Sequence, residues 1–169
     1  MVLAAEARLW VQFGCIALVA LAAWRVGGGP ERALAATLLA MVLSDQVYHL
    51  AFEGLRFVPA APAMHLAIDV SALLAALAVA LLANRIYPLW FAAFQLIAVL
   101  AHVANDVAPG VASLAYRILY VGPSYFQIML LAGGIWLHRR RVRRHGPYRP
   151  WRTSSSLSPA IRHRSWPSG

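Results

Sequence analysis

The sequence predicts an all-α fold: an integral membrane bundle of five transmembrane helices, or of four if the first is a cleaved leader. Hydrophobic residues make up 61% of the 169 residues and charged residues only 12%, which is outside the range of a soluble domain of this size. The apolar residues also fall into five runs near the length of about 20 residues that crosses a bilayer. These runs are 9–24, 33–52, 64–83, 89–107 and 116–137.

The first run, 9–24, combines features of a signal peptide with features of a retained helix. Arg8 precedes it, as a basic residue precedes the apolar part of a leader, but Glu6 offsets that charge and no convincing cleavage site follows. We therefore predict that it remains as the first helix. Cys15, the single cysteine of the chain, excludes an internal disulfide and is expected to be a packing residue.

Glycine and proline separate the next three runs. A Gly-Gly-Gly-Pro sequence precedes 33–52, and Pro62 precedes 64–83. Pro88 stands at the start of 89–107, where a missing backbone N–H does no harm. Each run is therefore expected to form a separate helix.

The fifth run, 116–137, contains a proline about a third of the way along. Pro123 cannot donate the hydrogen bond that the carbonyl of Leu119 would accept, and in lipid that carbonyl needs another partner. The sequence therefore predicts a kink at this depth.

Arginine is concentrated in segments that share one side of a five-helix arrangement: the stretch 25–32, the turn with Arg85 and the run after His138. By the positive-inside rule this side is cytoplasmic. The N-terminus is therefore predicted outside and the C-terminus in the cytoplasm, with Arg56 and Arg117 as exceptions to the charge distribution.

The chain divides into a transmembrane bundle, 1–137, and a basic cytoplasmic tail, 138–169. The tail holds nine of the 15 arginines and no acid, which leaves six arginines and six acids in the bundle. Such a segment buries too little apolar surface to fold alone, so we predict that it is disordered and contacts anionic lipid headgroups. Tyr148, Trp151 and Trp166 would also suit nucleic acid, but anchoring of the topology is the expected role.

The stretch Arg85-Ile-Tyr-Pro-Leu-Trp-Phe-Ala-Ala-Phe-Gln95, followed by His102, by Pro123-Ser-Tyr125 and by the arginine-rich end, resembles a group of small uncharacterised bacterial inner-membrane proteins. The resemblance covers the second half of the chain. It implies a multi-pass protein of the bacterial inner (plasma) membrane, and it implies no activity.

Three Asp/His pairs recur in the apolar runs, and the members of each pair are four residues apart. They are Asp45 with His49, His65 with Asp69, and His102 with Asp106. Residues at i and i+4 share one helix face, and an ionisable side chain facing lipid costs several kcal/mol. The pairs are therefore predicted to face a common interior.

The predicted helix directions place these six side chains at two levels in the outward half of the bundle. The upper level is His49, His65 and Asp106, and the lower level is Asp45, Asp69 and His102. Supporting polar residues at helical spacing come from the fourth and fifth runs. They are Gln95, Arg117, Tyr120, Ser124 and Gln127.

Imidazole and carboxylate groups together suit a divalent metal such as zinc, manganese or iron. The leading hypothesis is therefore a small integral membrane protein whose outward-side Asp/His cluster binds a divalent metal. All six residues of the three pairs are candidate ligands.

Four alternatives remain open at this stage. The cluster could be a hydrogen-bonded clamp in an accessory or assembly subunit that binds other membrane protein subunits. A metal-bound water could hydrolyse a lipid ester or amide, although no nucleophile or base motif accompanies the cluster. Two histidines could hold haem, which the three carboxylates disfavour, or the cluster could relay protons, which the apolar cytoplasmic half disfavours. Whether the protein is an enzyme is left open.

Overall fold

The computed structural model describes residues 2–52, 61–107, 113–147 and 149–152. This part of the chain forms five helices, which confirms the predicted all-α class. They are α1 (Val2–Val26), α2 (Gly29–Phe52), α3 (Ala61–Leu82), α4 (Tyr87–Val107) and α5 (Ser113–His145). Three of them contain segments long and apolar enough to cross a membrane: Gly29–Phe52, Ala63–Leu82 and Tyr87–Asn105.

Each helix packs on the next in chain order, and α1 also packs on α5. α2 and α5 also meet. Small buried side chains, such as Ala23, Ala76 and Ala92, let the helix backbones approach closely. Larger side chains, Leu38 and Leu131 among them, fill the space between the helices.

Much of the outer surface is apolar. Leu50 is 86% exposed, Val107 80% and Leu81 71%. Soluble monomers rarely expose large continuous apolar patches, because water solvates such surface poorly. The surface of the bundle is therefore suited to a hydrocarbon environment.

A buried ion pair closes one end of the bundle, which we call the basic end (residues 26–32, 82–87, 138–147 and 149–152). Glu31 is fully buried in the first turn of α2. Its carboxylate accepts hydrogen bonds from the guanidinium of Arg85, from the hydroxyl of Tyr87 (3.0 Å) and from the backbone N–H of Gly28 (3.0 Å). Nη2 of Arg85 also lies 2.7 Å from Nδ1 of His138. The network therefore joins α2, α4 and α5.

The described residues beyond the fifth apolar run, 138–147 and 149–152, include a segment that contacts the bundle. α5 continues as a helix to its end at His145, and the backbone then returns to the turn between α3 and α4. The N–H of Asn84 donates to the carbonyl of Pro150 (3.1 Å), and the N–H of Arg152 donates to the carbonyl of Leu82 (2.8 Å).

Trp151 lies at the centre of this contact. It forms an isolated antiparallel bridge with Ala83, and its indole covers Gly29, where a Cβ atom would collide with the ring. Up to Arg152 the predicted tail is thus a helix followed by a docked segment. The rest of the tail, 153–169, lies outside the described residues.

Candidate metal site

Two neighbouring helices carry the candidate ligands at the end of the bundle opposite the basic end, which we call the Asp/His end. Asp45 and His49 lie one turn apart near the C-terminus of α2, and His65 lies in the second turn of α3. Because α2 ends where α3 begins to return, the three side chains are at the same level. The connection between these helices, 53–60, lies outside the described residues.

The three side chains converge on one point. His65 Nε2 lies 2.9 Å from Asp45 Oδ1 and 3.4 Å from His49 Nε2, and His49 Nε2 lies 3.8 Å from Asp45 Oδ1. The side chains of Asp45 and His49 are 33% and 35% exposed, whereas that of His65 is 17% exposed. The cluster is therefore half-buried and open on the side of α2.

These separations match those of metal ligands. Atoms bound at about 2.0–2.1 Å to a tetrahedral ion lie about 3.3–3.4 Å from one another. The three observed separations, 2.9, 3.4 and 3.8 Å, bracket that value. Two imidazoles and one carboxylate also form the ligand set of catalytic zinc sites and of non-haem iron sites, in which further positions stay open for water.

His65 has the central position in this cluster. Nε2 of His65 is close to both Asp45 Oδ1 and His49 Nε2. A ring nitrogen carries at most one proton, so a hydrogen bond to the carboxylate leaves none for the second imidazole. A cation at the centre would accept a lone pair from each of the three atoms at once.

Tyr48 packs against both imidazole rings. Its ring meets the ring of His49 edge to face at 5.7 Å and the ring of His65 edge to face at 5.9 Å. Edge-to-face contacts between aromatic rings are favourable. Tyr48 is therefore part of the site, a role that was not predicted from the sequence.

Asp69 and His102 form a separate, buried group between α3 and α4. Nε2 of His102 lies 2.9 Å from Asp69 Oδ2, and the amide of Gln95 donates to Asp69 Oδ1 at 2.9 Å. The amide of Gln127 donates in turn to Gln95 Oε1 at 2.7 Å and to the carbonyl of Phe91 at 3.3 Å. This chain of hydrogen bonds links α3, α4 and α5 and satisfies the Asp69 carboxylate without a metal.

The five predicted residues whose side chains the structure describes are grouped differently from the two predicted levels. Asp45 was expected with Asp69 and His102, but it lies with His49 and His65. The error comes from helix rotation. Depth was estimated from the rise per residue alone, whereas the direction in which each helix face points decides which side chains meet.

Three of the predicted site residues fall outside the part of the chain whose side chains are described. The side chains of Asp106, Arg117 and Tyr120 lie outside the described residues. Ser124 is described: its hydroxyl donates to the carbonyl of Val121 (2.7 Å) and accepts a hydrogen bond from the amide of Gln12 (3.0 Å). Ser124 thus joins α5 to α1 and makes no hydrogen bond to the metal-site residues in this part of the chain.

A cavity of about 160 Å³, lined by both apolar and polar side chains, lies between the candidate metal site and the buried hydrogen-bonded chain. At roughly 30 Å³ for each molecule, it has room for about five waters. Its walls include carboxylate, imidazole, amide and hydroxyl groups, from Asp45, His65, Asp69, Gln95, Ser124 and Gln127. An ion at the cluster would therefore face a space that can hold water or a ligand head group.

Glu31, Gln12 and Tyr48 also make polar or ring contacts in the structure, which were not predicted from the sequence. The signal for Glu31 was present, because an acid and Arg85 sit near the ends of adjacent apolar runs at the same side. No comparable signal marks Gln12 or Tyr48.

Comparison of the chain with protein-family models, curated proteins and solved structures finds no match.

Proposed function

We propose that this chain is a small integral membrane protein that binds a divalent metal ion, zinc, manganese or iron, at Asp45, His49 and His65. The observation that carries the proposal is the convergence of one carboxylate oxygen and two imidazole nitrogens within 4.8 Å of one another. Two protein helices supply these atoms, and the cavity behind them leaves room for water at the remaining positions.

The membrane assignment is supported by length, composition and surface. Three helices have apolar segments of sufficient length, and large apolar side chains such as Leu50 and Leu81 face outward. α1 buries Ile16, Ala20 and Ala23 in the bundle, which favours five spans over four. The arginines at the basic end favour a cytoplasmic location for that end, in a bacterial inner membrane.

The buried chain of Asp69, His102, Gln95 and Gln127 has a different role in this proposal. Its donors and acceptors are paired across three helices, as expected of a clamp that holds the bundle together. The clamp hypothesis and the metal hypothesis therefore apply to different residues of the predicted cluster, and the clamp keeps α3 in the position that presents His65.

Elemental analysis tests the metal site. Protein purified in mild detergent without added metal should contain about one zinc, manganese or iron ion per chain, as a single three-ligand site requires. Asp45→Ala and His65→Ala should remove it, whereas His145→Ala at the basic end, a matched histidine control, should retain it. Folded wild-type protein without metal, or His65→Ala protein with a full complement, would contradict the proposal.

A further inference from the structure

A groove of about 530 Å³ runs along the outside of the bundle between α2 and α3. Its size falls within the range of about 300–1,000 Å³ that is usual for ligand sites. Small side chains form much of its walls: Ala36 and Ala40 on α2, and Ala67 and Ala75 on α3. These positions lack the bulk of the large apolar side chains exposed elsewhere on the same helices, such as Leu43 and Leu74.

The groove begins beside the metal ligands. Ser44 and Met64 line it, and each is next in sequence to a ligand, Asp45 or His65. From Met64 it follows α3 to Ala75, eleven residues further on. At about 1.5 Å per residue this is about 16 Å, close to half of the roughly 30 Å hydrocarbon thickness of a bilayer. The groove therefore extends from the level of the metal site to about the middle of the membrane.

The groove and the cavity share a wall. Met41 and Ile68 line both of them, so a molecule in the groove lies one side chain away from the cavity that Asp45 and His65 also line. A methionine at such a position can change rotamer at low cost. The groove and the cavity are thus adjacent, separated only by these two side chains.

The net charge of the site with a metal bound determines which kind of ligand head group it favours. A divalent ion held by one carboxylate and two neutral imidazoles carries a net positive charge, and it lies where Asp45 and His49 are partly exposed. In the low-dielectric surroundings of a membrane this charge strongly favours an anion. An anionic head group joined to a chain that reaches the bilayer centre is the chemistry of a phospholipid.

We propose that the site binds an anionic phospholipid from the leaflet at the Asp/His end, with the phosphate at the metal and one acyl chain in the α2–α3 groove. This inference rests on the proposed metal site. It adds the ligand class and the direction from which the ligand enters, which is sideways from the bilayer.

Groove-filling variants test the proposal in protein reconstituted in nanodiscs of phosphatidylcholine and phosphatidylglycerol in equal parts. Ala40→Phe and Ala67→Phe place a ring in the groove. Leu43→Phe and Leu74→Phe add the same ring on lipid-facing positions of the same helices, where the side chains are 60% and 63% exposed, and serve as controls. After mild extraction, native mass spectrometry counts retained phosphatidylglycerol, and elemental analysis measures metal in the same samples.

We expect the wild type and the Leu43 and Leu74 variants to retain phosphatidylglycerol in preference to phosphatidylcholine. The groove-filling variants should retain at least about tenfold less, equivalent to about 1.4 kcal/mol, while keeping their metal. Inorganic phosphate should displace phosphatidylglycerol from the wild type, which places the head group at the metal.

The experiment distinguishes failure of the lipid proposal from failure of the metal proposal. If the metal is present and all four variants retain phosphatidylglycerol equally, the lipid site is wrong and the metal site stands. If the folded wild type holds no metal, the proposed function itself fails, and the lipid proposal fails with it.

Discussion

Glu31 is a carboxylate with no exposed surface, held by the guanidinium of Arg85 and by the hydroxyl of Tyr87. Removing two charges from water costs several kcal/mol for each ion, and hydrogen bonds and mutual attraction must offset that cost. The carboxylate also lies in the first turn of α2, where the helix dipole favours a negative charge. This residue pair therefore stabilises the basic end only while both partners are present.

Glu31→Gln should destabilise the fold by roughly 3–5 kcal/mol, because it leaves the buried Arg85 charge without its carboxylate. Arg85→Gln should cost a similar amount, and the double variant should cost clearly less than the two single losses combined. Unfolding in detergent measures all three. Arg32→Gln, an exposed neighbour in the same helix turn, is the matched control. Additive losses would show that the two residues do not depend on each other.

His138 is a second residue whose charge state matters at this end. Burial lowers its pKa from the ordinary value of 6.5, and the adjacent positive charge of Arg85 lowers the pKa further. The unfolded chain therefore binds a proton on this imidazole at a higher pH than the folded chain does. The stability that neutral His138 contributes to the fold is fully present above about pH 6.5, and it is lost as the pH falls below that value.

The difference in melting temperature between wild type and His138→Gln tests this pH dependence. Glutamine keeps an acceptor for Arg85 but does not titrate. Between about pH 7.5 and pH 5.5 the wild type should lose stability relative to the variant, since the other titrating groups contribute to both proteins. A difference that stays constant over this range would show that His138 protonates freely in the fold.

At the scale of elements, close contact between α4 and α5 depends on a glycine. A Cβ atom at Gly134 would lie 2.7 Å from Cζ of Tyr87, whereas a Cβ atom at Gly133 would meet nothing within 4 Å. The absence of a side chain at Gly134 therefore lets the tyrosine ring lie flat against α5. In that position its hydroxyl reaches Glu31.

Gly134→Ala should therefore destabilise the protein by about 1–3 kcal/mol, because the ring must move and its hydrogen bond to Glu31 is strained or lost. Gly133→Ala is an exceptionally close control. It should be neutral or stabilising by up to about 1 kcal/mol, since alanine favours a helix over glycine and finds open space here. Thermal unfolding of the two variants in the same detergent measures the difference in stability. Equal changes in melting temperature would exclude a role for the Tyr87 contact.

At the scale of the whole molecule, the two ends of the bundle have different properties. The basic end is closed by an ion pair and by the docked segment around Trp151, which together fix the order of the helices. The Asp/His end holds a half-buried polar cluster beside a cavity and a lateral groove. The closed end and the partly open polar site at the other end are consistent with the proposed binding of a ligand at the Asp/His end.

Truncation separates the docked segment from the remainder of the tail. A chain ending after Arg152 should be as stable as the full chain, because it keeps the backbone hydrogen bonds to Leu82 and Asn84. A chain ending after Gly146 should be less stable by about 1–3 kcal/mol, since it loses these bonds and the packing of Trp151 on Gly29. Equal melting temperatures for the two truncated chains would show that the docked segment does not contribute.

The fold class could be predicted from the sequence because it depends on amino-acid composition and on the length of the apolar runs. Five apolar runs separated by glycine, proline and arginine require five helices, and the structure contains them in the part of the chain it describes. That Asp45 and His49 share a helix face follows equally from their spacing, since i and i+4 always lie on one side of an α-helix.

The partners of these residues were decided only by the tertiary structure. Spacing cannot show how far each helix turns about its own axis, and this rotation joins Asp45 to His65 while it directs Asp69 to His102. The same holds for Arg85, which was assigned only to the cytoplasmic side of the membrane and which pairs in the structure with the buried Glu31. Sequence alone therefore determined the helices and the chemical groups they carry. Helix packing determined which of these groups meet. The reason is that contact between residues far apart in the chain depends on how each helix is rotated and how closely it approaches its neighbours, which no local sequence pattern encodes.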